Sequence, residues 1–278
     1  MVKLYSEVLG KVVELPDSPR RVATLSPSIT ETLDFIGLWG RVAAVSTYCH
    51  VGYPKSRGKP AVSAYTSLTP RGAEVIREVD PDLVLVSSGI QTLLARELDR
   101  AGYTVFPVPL PRSIYDVLSM VRVVGLVAGS PEAGDRGARE LFDRLASLKG
   151  SLPPLRTYVE LEFAPAQRYS VGTYTHIDSA LSFIGLRNVY GGLVAGYVTP
   201  NYGYVASRNP EVVIYDYEPG LRRSVGDVVD DLSGKGLGGV KAVVSKAVII
   251  GANYVKRYGP SLITYVLPDI VSKVRSLG

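Results

Sequence analysis

The sequence predicts an α/β protein of two Rossmann-like lobes, each with a central parallel sheet, joined by a single long helix. Three observations predict it. Apolar runs at 21–25, 41–46 and 83–86 show no alternation, the pattern of strands covered on both faces of a parallel sheet, and amphipathic stretches separate them. Residues 130–151, SPEAGDRGARELFDRLASLKGS, read as one uninterrupted helix. Ser130 can cap it, Pro131 suits its first position, and Ala138, Leu141, Leu145 and Leu148 recur at helical spacing. Finally, Phe35-Ile36-Gly37-Leu38 returns as Phe183-Ile184-Gly185-Leu186. Asp80-Pro81-Asp82-Leu83-Val84 likewise returns as Asn209-Pro210-Glu211-Val212-Val213, as an internal repeat would produce. The expected division is a lobe at 1–129, a connecting helix at 130–151 and a lobe at 152–278.

In chain order, 3–15 read as a strand pair turning at Leu9-Gly10-Lys11. The strand 21–25 leads to Ser28-Ile29-Thr30-Glu31, which fits a capping box for a helix ending at Gly37. After the strand 41–46 comes a long loop, 47–54, and a second polar-aromatic loop at 63–66. Thr69 can cap a helix over 70–79, which Asp80-Pro81-Asp82 breaks before the strand 83–86. Helix 91–101, strand 104–108 and helix 113–127 complete the first lobe. In the second, strands are expected at 156–161, 211–215 and 248–250, and helices at 177–184 and 261–274. Residues 221–244 give no clear pattern.

With 278 residues, 46% hydrophobic and 21% charged, the chain can bury two modest cores. A net charge of +5 without any Lys/Arg block gives no nucleic-acid footprint. No apolar run is long enough to span a membrane, and no leader is recognisable before the first strand. Cys49 is the single cysteine, so no intrachain disulfide is possible. Scarce Cys and Met beside abundant arginine suit a thermophilic source.

The chain carries no HExxH, GxSxG, CxxC or Walker motif, and no catalytic residue is assigned. Gly234-Lys235-Gly236-Leu237-Gly238-Gly239 lacks the strand-to-helix setting of a phosphate cradle and reads as a flexible loop. What stands out is the set of aromatic and hydroxyl residues beyond the carboxyl ends of the expected strands, where open α/β sheets bind ligands. In the first lobe these include Tyr48, His50, Tyr65, Ser87 and Ser88; in the second, Thr173, Tyr174, His176 and Tyr197. Tyrosine combines broad apolar contact with a polar tip, which suits a wide, partly polar ligand. His50 and His176 fall in corresponding loops of the two lobes and are candidate contacts to a metal-centred ligand. No set of residues reads as a dedicated metal site, because such sites take several histidines and carboxylates.

RVATLSPSITETLDFIGLWGRVAAVSTYC, EVIREVDPDLVLVSS, GTYTHIDSALSFIGLRNVY and RNPEVVIYDY, in that order, resemble the cobalamin/iron-siderophore substrate-binding proteins of ABC importers. The likeness runs from about residue 3 to 274. It implies two α/β lobes bridged by one helix, a ligand held between them, and closure smaller than in binding proteins with strand hinges. It places cleft aromatics at Tyr48 and Tyr65, with a second-lobe aromatic near Tyr197. It also implies docking on a permease through one glutamate per lobe. The first falls on Glu74; the second position is Gly203, so docking is expected mainly through the first lobe.

The expectation is therefore a non-enzymatic solute receptor for a corrinoid, cobalamin-like, or another large metal chelate. It is expected to be monomeric, to use no resident cofactor, and to sit at the extracytoplasmic face of the cell membrane. The alternatives are a haem or ferric-siderophore receptor, an intracellular corrinoid-binding protein without a permease, and an enzyme on a chelatase- or nitrogenase-like two-lobe scaffold. A lone cysteine and two histidines speak against the last.

Overall fold

The computed structural model describes residues 2–164 and 167–277. The chain separates into two compact units, Met1–Leu110 with Asp116–Phe142, and Pro111–Tyr115 with Asp143–Gly278.

The first unit begins with an antiparallel hairpin, β1 (Val2–Ser6) and β2 (Lys11–Leu15). Then follow β3 (Val22–Thr24), α1 (Pro27–Phe35), β4 (Val42–Ser46), α2 (Thr47–Gly52), β5 (Ala61–Ser63) and α3 (Pro70–Val79). The chain continues through β6 (Leu83–Ser87), α4 (Thr92–Arg100), β7 (Val105–Val108), α5 (Ile114–Val127) and α6 (Pro131–Ala146); the first two residues of α5 and the last four of α6 belong to the second unit. Strands β5-β4-β3-β6-β7 form one sheet in that order, every pairing parallel, and every residue of β3, β6 and β7 is buried. That burial on both faces is why the strands read as unbroken apolar runs.

Three local expectations are corrected. Helix α1 starts at Pro27 in the first position with Ser26 before it, so the capping box expected at Ser28 does not open it. Proline needs no amide partner there and has its φ preset, so it sets the start. Residues 47–52, expected as loop, form α2, because the Ser46 hydroxyl accepts from the Cys49 amide and caps a short turn. Helix α6 ends at Ala146, short of the expected span to 151, and the chain reaches Gly150 (φ +61) through turns.

In the second unit come β8 (Arg156–Ala164), β9 (Gln167–Val171), α7 (His176–Ile184), β10 (Arg187–Asn188), β11 (Tyr197–Val198) and α8 (Tyr202–Arg208). The last elements are β12 (Val212–Tyr217), α9 (Val225–Leu232), α10 (Lys241–Val244), β13 (Val248–Ala252) and α11 (Leu267–Arg275). The sheet order is β11-β9-β8-β12-β13, with β10 against β8. Its centre, β8, β12 and β13, is parallel; β9 and β11 add an antiparallel flank, so the sheet as a whole is mixed. Residues 221–244 contain α9, opened by a capping box between Ser224 and Asp227, a π-helical turn Ser233–Leu237, and α10. The glycine-rich stretch, expected as a flexible loop, is thus helical through Leu237 and turns at 238–239.

Both sequence echoes are structural equivalents. Gly37 and Gly185 end α1 and α7 with positive φ, and the Leu38 and Leu186 amides return to Leu33 and Leu181. At the other echo, Asp80 and Asn209 adopt the same left-handed cap (φ 45, ψ 65 and φ 42, ψ 65). The Arg21 side chain donates to the Asp80 carbonyl, and Arg156 donates to that of Asn209. Asp82 and Glu211 in turn accept the Arg21 and Arg156 amides.

Candidate functional site

In the first unit the carboxyl ends of β3, β4, β5 and β6 share one edge of the parallel sheet. Tyr48, in the first turn of α2 after β4, and Tyr65, in the loop after β5, are both half-buried there. Their ring centroids lie 4.7 Å apart with planes inclined at 37°. Two tyrosines separated by 17 positions in sequence are therefore brought together as one aromatic surface, a geometry in the favourable range for ring pairs. Ser87 is buried, while Ser88 is half-buried and its Oγ accepts from the Leu110 amide at 2.9 Å. His50 lies on α2 with its Nε2 3.0 Å from the Lys59 carbonyl, so one ring nitrogen is already engaged in holding the turn after α2. Burial pushes the Cys49 thiol pKa up, which makes it a poor nucleophile. Sequence reading missed Ile90 and Leu93, which follow β6 at the same edge; Leu93 is 77% exposed. An exposed aliphatic pair beside an aromatic pair is the missed signal.

In the second unit, residues 172–174 run beside 193–196. The Gly172, Thr173 and Tyr174 amides donate to the Gly196, Leu193 and Ala195 carbonyls. A Cβ on Gly172 would stand 2.6 Å from the Ala195 oxygen, so only glycine allows the approach. This ladder leaves Tyr174, Leu193, Val194 and Tyr197 exposed together, Val194 at 70%. Thr173 is half-buried and turned towards Asp178.

His176 is placed differently from the loop position expected of it. It is the first residue of α7, buried, with Nε2 3.3 Å from the Val255 carbonyl and its ring edge-on to Tyr258. Burial pulls its pKa down to about 4, more than its carbonyl partners raise it, so it is a neutral core group and not an open metal ligand. Asp216, also buried, accepts from the Tyr254 and Lys256 amides at 2.8 and 2.9 Å and so fixes the same loop after β13. Burial pushes Asp216 up to about 6 even with Lys256 alongside.

The largest feature that sequence reading missed is a chain of buried charges. Glu160 and Glu162 of β8 are fully buried. Glu160 accepts from Tyr158 Oη at 2.6 Å and Lys235 Nζ at 2.7 Å; Glu162 meets Arg168 at 2.7 Å, Tyr215 Oη at 2.9 Å, and Arg223. Burial alone would raise the Glu162 carboxyl, but Arg223, Tyr215 and Arg168 hold it below the usual range. Lys235, from the glycine-rich turn, also pairs with Asp231 at 2.6 Å. The network anchors 221–237 to the sheet, and removing one of its basic members would leave a buried carboxylate less fully compensated.

Among the described residues, no group of three or more His, Cys, Asp or Glu side chains is placed to hold a metal ion, and no helix is long and apolar enough to cross a membrane.

A profile of the family described as periplasmic binding protein matches residues 22–251. A cobalamin-binding protein of Halobacterium salinarum is 26% identical over 209 residues, covering 73% of this chain and 55% of that protein. The chain thus spans about half the length of that curated relative. A vitamin B12-binding protein of Yersinia pestis is 25% identical over 214 residues, 74% of this chain and 73% of that one. Among solved structures, the apo periplasmic haem-binding protein RhuT from Roseiflexus sp. RS-1 superposes with a TM-score of 0.77 at 20% identity, covering 93% of this chain and 98% of that one. The periplasmic vitamin B12-binding protein BtuF of Vibrio cholerae gives 0.72 at 18%, covering the same shares.

Proposed function

Because the chain belongs to the periplasmic binding protein family, we propose that it is the solute receptor of an ABC importer and takes a corrinoid, cobalamin-like, or another large metal chelate. Members of this family bind solutes and are not enzymes. The observation that carries the ligand reading is the Tyr48–Tyr65 pair at the carboxyl edge of the first unit's sheet. The two tilted rings offer an aromatic surface that also carries phenol groups, which suits a large macrocycle bearing polar substituents. Exposed Ile90 and Leu93 extend the apolar part of that edge. In the second unit, Tyr174 and Tyr197 on the loop ladder are the proposed ligand contacts, with Thr173 beside them. His50, Ser87 and Ser88 serve in this reading mainly to shape the first unit's loops. A haem or ferric chelate is the second reading, favoured by the phenol oxygens of Tyr48 and Tyr65, which are hard donors suited to iron(III).

The protein is proposed to act at the extracytoplasmic face of the membrane and to dock on its permease chiefly through exposed Glu74 on α3, with no carboxylate at Gly203 on α8.

Titration of the purified protein with cyanocobalamin and with haemin tests the ligand reading. One of the two should bind, and Tyr48→Ala/Tyr65→Ala should weaken it at least about tenfold, since each ring contributes about 0.5–1.5 kcal/mol beyond area burial. Unchanged affinity in the folded double variant would put the site elsewhere. Failure of both probes to bind the unmodified protein would remove the macrocycle reading.

A further inference from the structure

Gln91 lies between the exposed residues Ile90 and Leu93, yet is itself fully buried. Its Oε1 accepts from the Ser87 amide at 2.6 Å. Its Nε2 donates to the Leu25 carbonyl at 2.8 Å and to the Tyr65 carbonyl at 2.6 Å. These partners fix which end of the amide is which, since the reversed amide would set an oxygen against two carbonyls and an NH2 against an N–H. Leu25 follows β3, Tyr65 follows β5, and Ser87 ends β6. One side chain therefore ties together the exits of three parallel strands. Through the Tyr65 ring it also reaches Tyr48, beyond the exit of β4.

We propose that Gln91 is a positioning residue for the ligand: its amide pins the Tyr65 backbone, so that the Tyr65 ring stands against Tyr48 before a ligand arrives. This inference rests on the reading of Tyr48 and Tyr65 as ligand contacts. The Tyr65 loop, 64–68, is a tight turn closed by the Ala64 amide on the Ser67 carbonyl at 3.0 Å and a Ser63–Leu68 bridge, and it carries exposed Thr66 and Ser67; Gln91 ties this turn to the exits of β3 and β6. Without that tie the placement of the turn, and with it the Tyr65 ring, would have to be fixed at the moment of binding, and that ordering would be subtracted from affinity. The clamp supplies the order in advance. The position is chemically demanding, because it needs two donors and one acceptor in a dry site. Glutamate has nearly the same shape and keeps the acceptor, but when ionised it donates nothing and faces two carbonyl oxygens. When protonated it regains a single donor.

The experiment is a titration with cyanocobalamin and haemin of the unmodified protein, Gln91→Glu, Tyr65→Ala and the double variant, at about pH 8 and about pH 5. Gln91→Glu should weaken the bound probe at least about fivefold at the higher pH, and the loss should shrink at the lower pH as the buried carboxyl takes up a proton. In the Tyr65→Ala background the same change should cost less than about twofold, because its route to the ligand is already gone. Normal affinity in Gln91→Glu alongside a loss in Tyr65→Ala overturns the role of Gln91 and leaves the site standing. Full additivity of the two changes overturns the route through Tyr65. Normal affinity in Tyr65→Ala removes the site reading and this inference with it. Amide exchange tests the clamp without a ligand: at about pH 8 amides at 65–68 should exchange faster in Gln91→Glu than in the unmodified protein, and equal rates would overturn the proposal.

Discussion

His176 and Asp216 hold the same loop of the second unit from two sides, and their protonation preferences oppose each other. His176 falls from 6.5 to about 4 on folding, so between those values the unfolded chain binds more protons; its contribution to stability is lost as pH falls through that window. Asp216 rises from 3.8 to about 6, so there the folded chain binds more protons and stability is lost as pH rises. Each shift is on the order of 3 kcal/mol, and the windows nearly coincide, so the two slopes largely cancel. Urea unfolding of His176→Gln between about pH 4 and 6 should therefore show stability falling with pH, and Asp216→Asn should show it rising. Equal pH profiles for the two variants would contradict the assignment. Sequence alone could not distinguish the two histidines, since both stand in polar-aromatic stretches. The tyrosines were more legible, because Tyr48 follows the expected strand 41–46 and Tyr65 falls in the expected polar-aromatic loop; the short strand β5 before Tyr65 was not read, nor that the two rings would touch.

Helices α5 and α6 meet at two glycines. A Cβ on Gly125 would lie 2.5 Å from Gly134 Cα and 2.7 Å from its nitrogen, and one on Gly134 would lie 3.0 Å from Gly125 Cα. The listening posts of the crossing are backbone atoms, which cannot rotate aside as a side-chain tip can. Alanine should gain about 1 kcal/mol of helix propensity over glycine, but overpacking of about 1–3 kcal/mol or more opposes it. Gly125→Ala should accordingly lower the unfolding midpoint of the first unit by several degrees, with Gly134→Ala milder; a raised midpoint in calorimetry would show that the helices can part without cost. At this scale the sequence was read well where period and punctuation agree, as in α3, β6 and α7. It was least readable over 221–244, where the decisive contacts are Arg223 and Lys235 reaching buried glutamates on β8, some 60 to 75 positions earlier. Charged residues among glycines look like surface until their partners are known.

For the whole molecule, the proposed docking is uneven. An exposed carboxylate facing a basic permease surface steers encounter and sets register more than it adds affinity. With Glu74 on α3 and glycine at the matching place on α8, the first unit should carry the contact. Glu74→Ala should abolish stimulation of a reconstituted permease's ATPase while ligand titration stays unchanged, since Glu74 lies on a helix that does not bear Tyr48 or Tyr65. Normal stimulation would remove the docking role. Matching at the level of the chain was legible through two four- and five-residue echoes, each of which proved to be the same backbone device in both units. The arginine, left-handed cap and carboxylate that close the beginnings of β3 and β6 do the same for β8 and β12. One local device thus closes the starts of two strands in each unit, whereas the opposite ends of the strands differ, a tyrosine pair in one unit and a loop ladder in the other; an exchange of loops at those opposite ends would leave the strand-start contacts untouched.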